Sequence, residues 1–524
     1  MNMNRFAIVL AALLVFGLAA AQTLVFGNSG QPSSLDSADS QDGESLVVSG
    51  QITETLIGFA SGSADLEPKL AVSWSTNESA DVWTFELREG VQFHDGTPFD
   101  AEAVKFSYDR WNLVDHPYSF RDEGKNFVPF GWVFGGPRGE GGIIDEVVAA
   151  GELSVEFRLT QPVPFFPALV AANYFQIDSP AAVMEAGADY GSPSVGSVGT
   201  GPFVFEEWVE GQRVRLSANA DYWGGAPSVN EVVFRPILEP TARLAELQAG
   251  AIDIAVNLPA DNLQTVENDG NLVTAIANGE LNVGYVGISH AEEHPMSDVR
   301  VRQAIAHAID REAIVEAFYA GTGMVAEDHL AASLFGHGMD WPYEYDPERA
   351  QELLAEAGYA DGFATELWYM PVSRPYYPSP QPIAETIASY LADVGIEAEV
   401  LTEDWTTYLS DYREGVFPLW MLGWNADYAD PDNFLRTFFG ADGAAAYAWD
   451  RDEVIDMLEE ATRVADQDRR AELYADVIAA VAEQAASIPM AHNNTLHAHR
   501  TNISGWVPSP LGYSSVSLVP VVKQ

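Results

Sequence analysis

The sequence of 524 residues contains no cysteine, and only four of its 26 basic residues are lysines. Without cysteine the chain has no disulfide, no thiolate ligand for a metal and no cysteine that could carry a lipid. Its 77 acidic residues give a formal charge of −51 at pH 7. Because such a surface repels phosphate groups, the composition argues against nucleic acid and anionic lipid as partners. We interpret the acidic surface as adaptation of a soluble protein, for example to salt, rather than as attraction of cationic ligands.

Motifs of catalysis are also missing. The sequence has no HExxH, GxSxG or GxxxxGK[ST] pattern, and no GxGxxG follows a predicted strand. Carboxylates could pair as in glycoside hydrolysis, but with 77 acids such pairs are expected by chance. His497 and His499, near His492, have the spacing of one strand face rather than of a metal site. The aspartates of segment 427–432 lack the glycine and glutamate of an EF-hand loop. We therefore predict no catalytic residue, no metal and no cofactor.

The N-terminus predicts export. Arg5 precedes an apolar run from Phe6 to Ala21, whose 16 residues are fewer than the ~20 of a membrane span. The run ends in three alanines, which is typical of signal-peptide cleavage. We predict a signal peptide of residues 1–21, cut after Ala21, and a soluble mature protein outside the cytoplasm.

The pattern of apolar residues predicts α/β structure in more than one domain. Alternation predicts strands at 82–88, 153–159 and 229–237, and the glycine- and aromatic-rich segment 126–142 is predicted as loop. The second half alternates helices (298–321, 346–358, 383–395 and two within 452–485) with strands (397–401 and 417–422). Such alternation indicates a sheet covered by helices. Ligands of such sheets lie beyond the carboxyl ends of strands, where the acidic loop 425–433 follows a strand.

One arginine stands in a proline-rich segment, MPVSRPYYPSP (Met370–Pro380), in which four of eleven residues are proline. Proline fixes φ, donates no backbone hydrogen bond and pushes the preceding residue towards an extended shape. We therefore predict a stiff, extended loop that resists joining a helix. It would present Arg374, whose side chain is suited to a carboxylate.

Longer motifs follow one another along the chain: WTFELREGVQFHDGTPFDAEAVKFSYDR (Trp83–Arg110), GTGPF (Gly199–Phe203), DYWGGAP (Asp221–Pro227) and SDVRVRQAIAHAIDREAIV (Ser297–Val315). Together they resemble the extracytoplasmic solute-binding proteins of peptide ABC importers, and the resemblance covers residues 24–519. Three further segments are similar to the branch that binds dipeptides: MPVSRPYYPSP, TEDWTTYL (Thr402–Leu409) and GWNADYADPDNF (Gly423–Phe434). Since NADY is also similar to the oligopeptide branch, ligand length stays open.

The resemblance implies a two-lobed periplasmic-binding-protein fold, type II-like, with a hinge and an extra subdomain in the first lobe. Mapped onto this chain, lobe I comprises residues 22–283 and 495–524, with a subdomain at about 58–195. Lobe II comprises residues 284–494. The hinge segments are expected at about 280–289 and 487–495.

The resemblance also implies how a ligand is held. A free dipeptide is a zwitterion whose ends lie within ~7 Å, and arginine forms two parallel hydrogen bonds with a carboxylate. By resemblance, Arg374 binds the carboxylate and Asp427 the ammonium group, while Trp405, Tyr376 and Trp424 line the side-chain pockets. The structural alternatives are a surface or lobe-stabilising ion pair for the arginine, a loop cap for the aspartate and core packing for the aromatic residues.

The implied function is that of a monomeric, non-enzymatic periplasmic receptor without a lipid anchor. It would deliver a small peptide to the permease subunits of an ABC importer. Alternatives within the family are receptors for oligopeptides, nickel complexes, glutathione, sugars or opines. Alternatives from other classes are a secreted hydrolase, which would turn over a glycan or peptide, and a folding helper for exported chains.

Overall fold

The computed structural model describes residues 22–277, 279–441, 444–512 and 515–524. The predicted signal peptide, residues 1–21, lies outside the described residues. The strands are β1 (Thr23–Asn28), β2 (Ile57–Phe59), β3 (Leu66–Pro68), β4 (Ala71–Thr76), β5 (Val82–Leu87), β6 (Ile144–Gly151), β7 (Ser154–Leu159), β8 (Phe203–Val209), β9 (Arg213–Ala218), β10 (Glu231–Pro236), β11 (Ile254–Leu258), β12 (Leu272–Ile276), β13 (Asn282–Ile288), β14 (Gly323–Val325), β15 (Phe363–Trp368), β16 (Ile396–Leu401), β17 (Leu419–Asn425), β18 (Ser487–Asn493), β19 (Leu496–Arg500), β20 (Ile503–Ser504) and β21 (Val522–Lys523).

The α-helices of the described residues are α1 (Gly43–Ser49), α2 (Ala101–Asn112), α3 (Val128–Phe134), α4 (Phe166–Val170), α5 (Pro180–Ala186), α6 (Pro240–Ala249), α7 (Leu263–Glu267), α8 (Val299–Ala308), α9 (Arg311–Phe318), α10 (Pro347–Glu356), α11 (Pro380–Asp393), α12 (Trp405–Glu414), α13 (Asp432–Phe439), α14 (Ala444–Tyr447), α15 (Asp452–Ala461) and α16 (Gln467–Glu483). Short 3₁₀ helices lie at Ser37–Asp39, Arg121–Glu123, Gly187–Asp189, Ala260–Asn262 and Pro295–Ser297. No helix of the described residues combines the length and the apolar character needed to cross a membrane.

Three sheets organise the fold. A seven-stranded sheet has the order β12-β19-β11-β1-β10-β9-β8, and a six-stranded sheet has the order β14-β18-β13-β17-β15-β16. An antiparallel sheet, β4-β5-β7-β6, packs on an apolar core that comes mostly from the segment predicted as the subdomain. Both larger sheets mix parallel and antiparallel pairs, and helices contact them. The predicted α/β class is therefore confirmed.

The chain passes between the two larger sheets at two places that lie side by side. The consecutive strands β12 and β13 belong to different sheets, and so do β18 and β19. Here the carboxylate of Glu280 accepts hydrogen bonds from the backbone N–H (2.8 Å) and the hydroxyl (2.9 Å) of Thr495. Asn494 Oδ1 accepts the backbone N–H of Glu280 (3.0 Å). The boundary predicted between residues 283 and 284 falls inside β13, and the lobe and hinge boundaries stay predictions.

Local signals in the sequence account for many elements. The three strands predicted in the first half correspond to β5, β7 and β10. Asp346 caps α10 by accepting the N–H of Arg349 (2.9 Å), and Gly358, with a φ of 94°, follows the end of the helix. The two helices predicted within 452–485 are α15 and α16.

Two predictions of helix content were wrong. The segment 126–142 is not all loop, because it contains α3, whose buried side chains recur at helical spacing (Phe130, Val133 and Phe134). The single helix predicted over 298–321 is divided into α8 and α9. Asp310 interrupts it because its side chain accepts the N–H of Ala313 (2.9 Å) and so caps a second helix.

Candidate ligand-binding site

A cavity of about 990 Å³ brings together all five residues predicted to bind a ligand: Arg374, Tyr376, Trp405, Trp424 and Asp427. These residues lie on or beside elements of the six-stranded sheet, at the end of β17, at the start of α12 and in the loops next to them. The facing wall comes from the predicted subdomain and includes α3 and the glycine-rich loop that follows it. Small-molecule sites span about 300–1,000 Å³, so this cavity is at the large end of that range.

Arg374 lies at a tight turn rather than in an extended loop, which corrects the prediction. Its backbone N–H donates to the carbonyl of Tyr377 (3.1 Å), and the N–H of Tyr377 donates back to the carbonyl of Arg374 (3.0 Å). Pro375 takes the first corner, where its fixed φ favours a turn. Pro380 begins α11, since proline is well suited to the first position of a helix. The prolines therefore shape a turn and start a helix.

Tyr376 packs into a gap left by glycine. A Cβ atom on Gly423 would lie 2.4 Å from the ring of Tyr376, and one on Gly284 would lie 2.7 Å from its carbonyl oxygen. The same carbonyl accepts the hydroxyl of Tyr319 (2.7 Å). Burial raises the pKa of Tyr376 to about 12, while the neighbouring guanidinium of Arg374 lowers it. Tyr376 is therefore a fixed, neutral wall of the cavity beside the arginine.

The guanidinium of Arg374 is exposed and has no carboxylate partner. It lies over the ring of Trp405, 5.7 Å from the centroid, at the distance of a cation–π contact. Among the described residues no carboxylate oxygen approaches it within 4.0 Å. Trp405 starts α12 and stacks on Tyr408, with centroids 5.8 Å apart and ring planes at 16°. The aromatic surface supports the guanidinium, which is therefore held beside Trp405 and Tyr376 without a carboxylate partner among the described residues.

Asn433 organises the loop after β17 and was missed by the sequence analysis. Its Oδ1 accepts the indole N–H of Trp424 (3.1 Å) and the backbone N–H of Asp427 (2.8 Å). One side chain thus fixes both predicted ligand-binding residues of this loop. The DPDN motif contained the residue, but nothing in its spacing showed which groups the amide would bind.

Asp427 is a half-buried carboxylate without a cation. Burial raises its pKa to about 6, and no Lys, Arg or His of the described residues lies within 4.0 Å of its oxygens. The next acid of the loop differs, because Asp430 binds Arg470 through two contacts of 2.7 and 3.0 Å. Asp427 is therefore poised to accept a positive charge that the protein itself does not supply.

Comparison with known proteins agrees with this geometry. The sequence model of the Bacterial extracellular solute-binding proteins, family 5 Middle, matches residues 65–446. The chain belongs to this family. It is 31% identical over 530 residues to the Dipeptide-binding protein of Escherichia coli (strain K12), covering 98% of this chain and 97% of that relative. It is 32% identical over 478 residues to Heme-binding protein A of Haemophilus influenzae, covering 89% and 86%.

A solved structure supports the same assignment. HbpA2 from Haemophilus parasuis matches with a TM-score of 0.87 and 30% identity, covering 96% of this chain and all of that one. This similarity confirms the predicted two-lobed periplasmic-binding-protein fold. The family consists of extracellular solute-binding proteins and not of enzymes.

Trp132 is a second residue of this solute-binding protein that the sequence analysis missed. It lines the cavity from the facing wall, with 51% of its surface exposed. The sequence analysis assigned segment 126–142 to a loop and did not single out Trp132, because a tryptophan among glycines gives no periodic signal.

No group of three or more His, Asp or Glu within the described residues of this solute-binding protein is placed to hold a metal. His497 and His499 lie on β19, as the strand prediction required, and contact the ring of Trp506 edge-on at 5.8 and 6.1 Å. Asp430 is held in its ion pair. The position of His497 and His499 agrees with the prediction that they lie on a strand.

Proposed function

We propose that the protein is a periplasmic receptor of an ABC importer that binds short peptides, dipeptides foremost, between its lobes. One observation carries the proposal. Arg374 and Asp427 line the same cavity, and within the described part of the chain neither has a partner of opposite charge within 4.0 Å. A zwitterion whose charged ends lie within ~7 Å would supply both partners at once. The similarity to the Dipeptide-binding protein of E. coli supports this ligand class.

The carboxylate end of the ligand would bind Arg374. The turn that carries this residue is closed by two backbone hydrogen bonds and fixed by Pro375. Contact with Trp405 further restricts the guanidinium. Because little freedom remains to be lost on binding, a larger share of the interaction energy becomes affinity. The planar fork of arginine then forms two parallel hydrogen bonds to a carboxylate.

The ammonium end would bind Asp427. An adjacent positive charge favours the ionised carboxylate, so binding would lower the pKa of Asp427 below its unliganded value of about 6. Trp424 and Asn433 hold the loop that presents it. Burial makes the ionised, unpaired carboxylate unfavourable. It also strengthens the attraction between this carboxylate and a cation, because the local dielectric constant is lower than in water.

Contact across the cavity supports closure of the lobes on the ligand. Phe165, from the predicted subdomain, stacks on Tyr428 of the loop after β17, with centroids 6.0 Å apart and ring planes at 9°. Hinge closure of this kind encloses ligands in periplasmic binding proteins. The closed protein, a monomer, would then dock on a membrane permease without turning its ligand over.

Haem is the second candidate ligand, because Heme-binding protein A is 32% identical and the cavity is larger than a dipeptide requires. Haem iron is held in proteins by His, Cys, Met or Tyr. Among the described residues that line the cavity only tyrosines belong to this set, including Tyr376 and Tyr412. Haem binding would therefore need a tyrosine ligand.

The test is a calorimetric titration of refolded, ligand-free protein with Phe-Ala, N-acetyl-Phe-Ala, Phe-Ala amide, a pentapeptide and haem. We expect heat from free Phe-Ala and weakening by about 10- to 100-fold when either end is blocked. Arg374→Ala should weaken binding of Phe-Ala and abolish the difference between the acid and its amide. Arg463→Ala is the matched control, since this cavity arginine is already paired with Glu459 (3.2 Å).

Other outcomes would redirect the assignment. Equal affinity for free and blocked dipeptides would contradict the two-ended site. Tighter binding of the pentapeptide would favour the oligopeptide alternative. A haem Soret shift that Phe-Ala does not displace would favour the second candidate.

A further inference from the structure

One wall of the cavity exposes an aromatic side chain with no structural need to be there. Trp132 is 51% exposed, and it is the only tryptophan among the strongly exposed large apolar residues of the described chain. Its exposed face lines the cavity. Apolar surface left open in a cleft marks a place where a ligand or partner is bound.

The indole is carried by an anchored helix and contacts a second aromatic ring. It projects from α3, which is anchored in the core of the predicted subdomain by buried side chains (Phe130, Val133 and Phe134). Tyr174 contacts the indole edge-on, with centroids 6.3 Å apart and ring planes at 79°. A rigid aromatic surface loses little conformational freedom when a ligand covers it.

The aromatic pair belongs to the Asp427 end of the cavity. Tyr174, which contacts Trp132, lies near enough to Asp427 for that negative charge to help raise the pKa of the tyrosine, after the larger effect of burial. Arg374 has its own aromatic neighbour in Trp405. The Asp427 side of the cavity thus has Trp132 in addition to Trp424, which Asn433 holds in the same loop as Asp427.

Space for a side chain lies beside Trp132. Three glycines line the same wall: Gly131, Gly135 and Gly141. Apart from its chain neighbours and the backbone of its own helix, a Cβ atom placed on Gly131 would meet no atom within 4 Å, and the backbone of Gly131 is not in the left-handed region. The wall therefore combines an aromatic surface with an unfilled volume.

We propose that Trp132 forms the pocket for the side chain of the ligand's first residue, so that the protein selects peptides with an aromatic or large apolar first residue. The inference rests on the proposed function, because Asp427 as the partner of the ammonium group places the first residue at this end. Contact with an indole is worth about tenfold in affinity when the partner is a large apolar side chain.

The experiment compares Phe-Ala, Ala-Phe and Ala-Ala by calorimetry on four proteins: wild type, Trp132→Ala, Gly131→Leu and Tyr345→Ala. Trp132→Ala should weaken Phe-Ala by about tenfold and change the other two ligands by less than about twofold. Gly131→Leu adds a side chain to the same wall, at a position where a Cβ atom is not obstructed by residues other than its chain neighbours, and should likewise weaken Phe-Ala alone. Tyr345 is the matched control because it is 44% exposed and edge-on to Tyr390 at 5.6 Å but does not line the cavity.

The outcomes separate this inference from the proposed function. If wild type binds the dipeptides and Trp132→Ala weakens all three equally, or none, the first-residue pocket is wrong while the receptor function stands. If Ala-Phe is the ligand that weakens, the orientation of the peptide is reversed and the inference is overturned. If wild type binds none of the three, both proposals fail together. Thermal unfolding of each variant identifies any loss that comes from misfolding.

Discussion

The side-chain amide of Asn493 donates a hydrogen bond to the carbonyl of Pro375 (2.8 Å). Asn493 ends β18, where the chain returns to the seven-stranded sheet, and Pro375 adjoins Arg374 in the turn. Thr322 donates its hydroxyl to Asn493 Oδ1 (2.7 Å), which orients the amide towards the turn. The crossing between the sheets is thus bonded directly to the turn that presents the arginine.

We expect Asn493→Ala to weaken binding of a free dipeptide by about fivefold, because one hydrogen bond that places Arg374 is lost. The measurement is a double-mutant cycle with Arg374→Ala, in which the asparagine should have no further effect once the arginine is absent. Thr495→Val is the control, since it removes a bond to Glu280 at the same crossing without touching the turn. Additive losses in the cycle would show that Asn493 affects affinity independently of Arg374.

Affinity should depend on pH through Asp427. Its pKa of about 6 means that roughly a tenth of the unliganded protein has the ionised carboxylate at pH 5. A dipeptide keeps both charges between pH 5 and pH 7. Affinity should therefore be about tenfold lower at pH 5 than at pH 7, and Asp427→Asn should bind weakly with little pH dependence.

Glu280, whose pKa burial raises to about 7, titrates in the same range. If the Asn variant kept the full dependence, the effect would belong to Glu280.

The same carboxylate should lower the stability of the empty protein. A pKa raised above the unfolded value means that the folded state holds the proton more tightly, so this stability is present at low pH and is lost as pH rises from about 4 to about 6. Asp427→Asn should therefore raise the free energy of unfolding by about 1–2 kcal/mol at pH 7 and leave it unchanged at pH 4. Urea denaturation at the two pH values measures this. Asp430→Asn should instead destabilise the protein at pH 7, because it leaves Arg470 buried without its partner.

Residues with chemistry of their own could be predicted from the sequence. Arg374 stood among prolines and Asp427 followed a strand, and both lie in the cavity. Asn433 and Asn493 could not be found in this way, because their importance lies in the backbone groups that their amides reach, and only the folded chain defines those groups. Trp132 comes from a segment more than 200 residues from Arg374 in sequence. No local pattern indicates that the two share a cavity.

Gly423 should tolerate no side chain. A Cβ atom there would lie 2.3 Å from the carbonyl oxygen of Val283 and 2.4 Å from the ring of Tyr376. Gly423→Ala should cost about 1–3 kcal/mol of stability and displace Tyr376, so that peptide affinity falls as well. Gly270→Ala is the control, because its Cβ would meet nothing within 4 Å. The measurements are thermal unfolding and dipeptide titration of both variants. If Gly423→Ala kept the stability and affinity of the wild type, β13 and β17 would have to separate freely enough to admit the methyl group.

The stack of Phe165 on Tyr428 should act on closure and not on ligand choice. The guanidinium of Arg470, from α16, also lies over the ring of Phe165, 4.9 Å from its centroid. Phe165 therefore joins the predicted subdomain both to the loop after β17 and to α16. Neither Phe165 nor Tyr428 carries a charge that a peptide terminus would need. Phe165→Ala should therefore raise the dissociation constants of all bound peptides by a similar factor, about three- to tenfold. Small-angle scattering of the saturated variant should show a larger open fraction, whereas Arg374→Ala should alter discrimination between peptide acids and amides. A loss confined to one peptide would make Phe165 part of a ligand pocket instead.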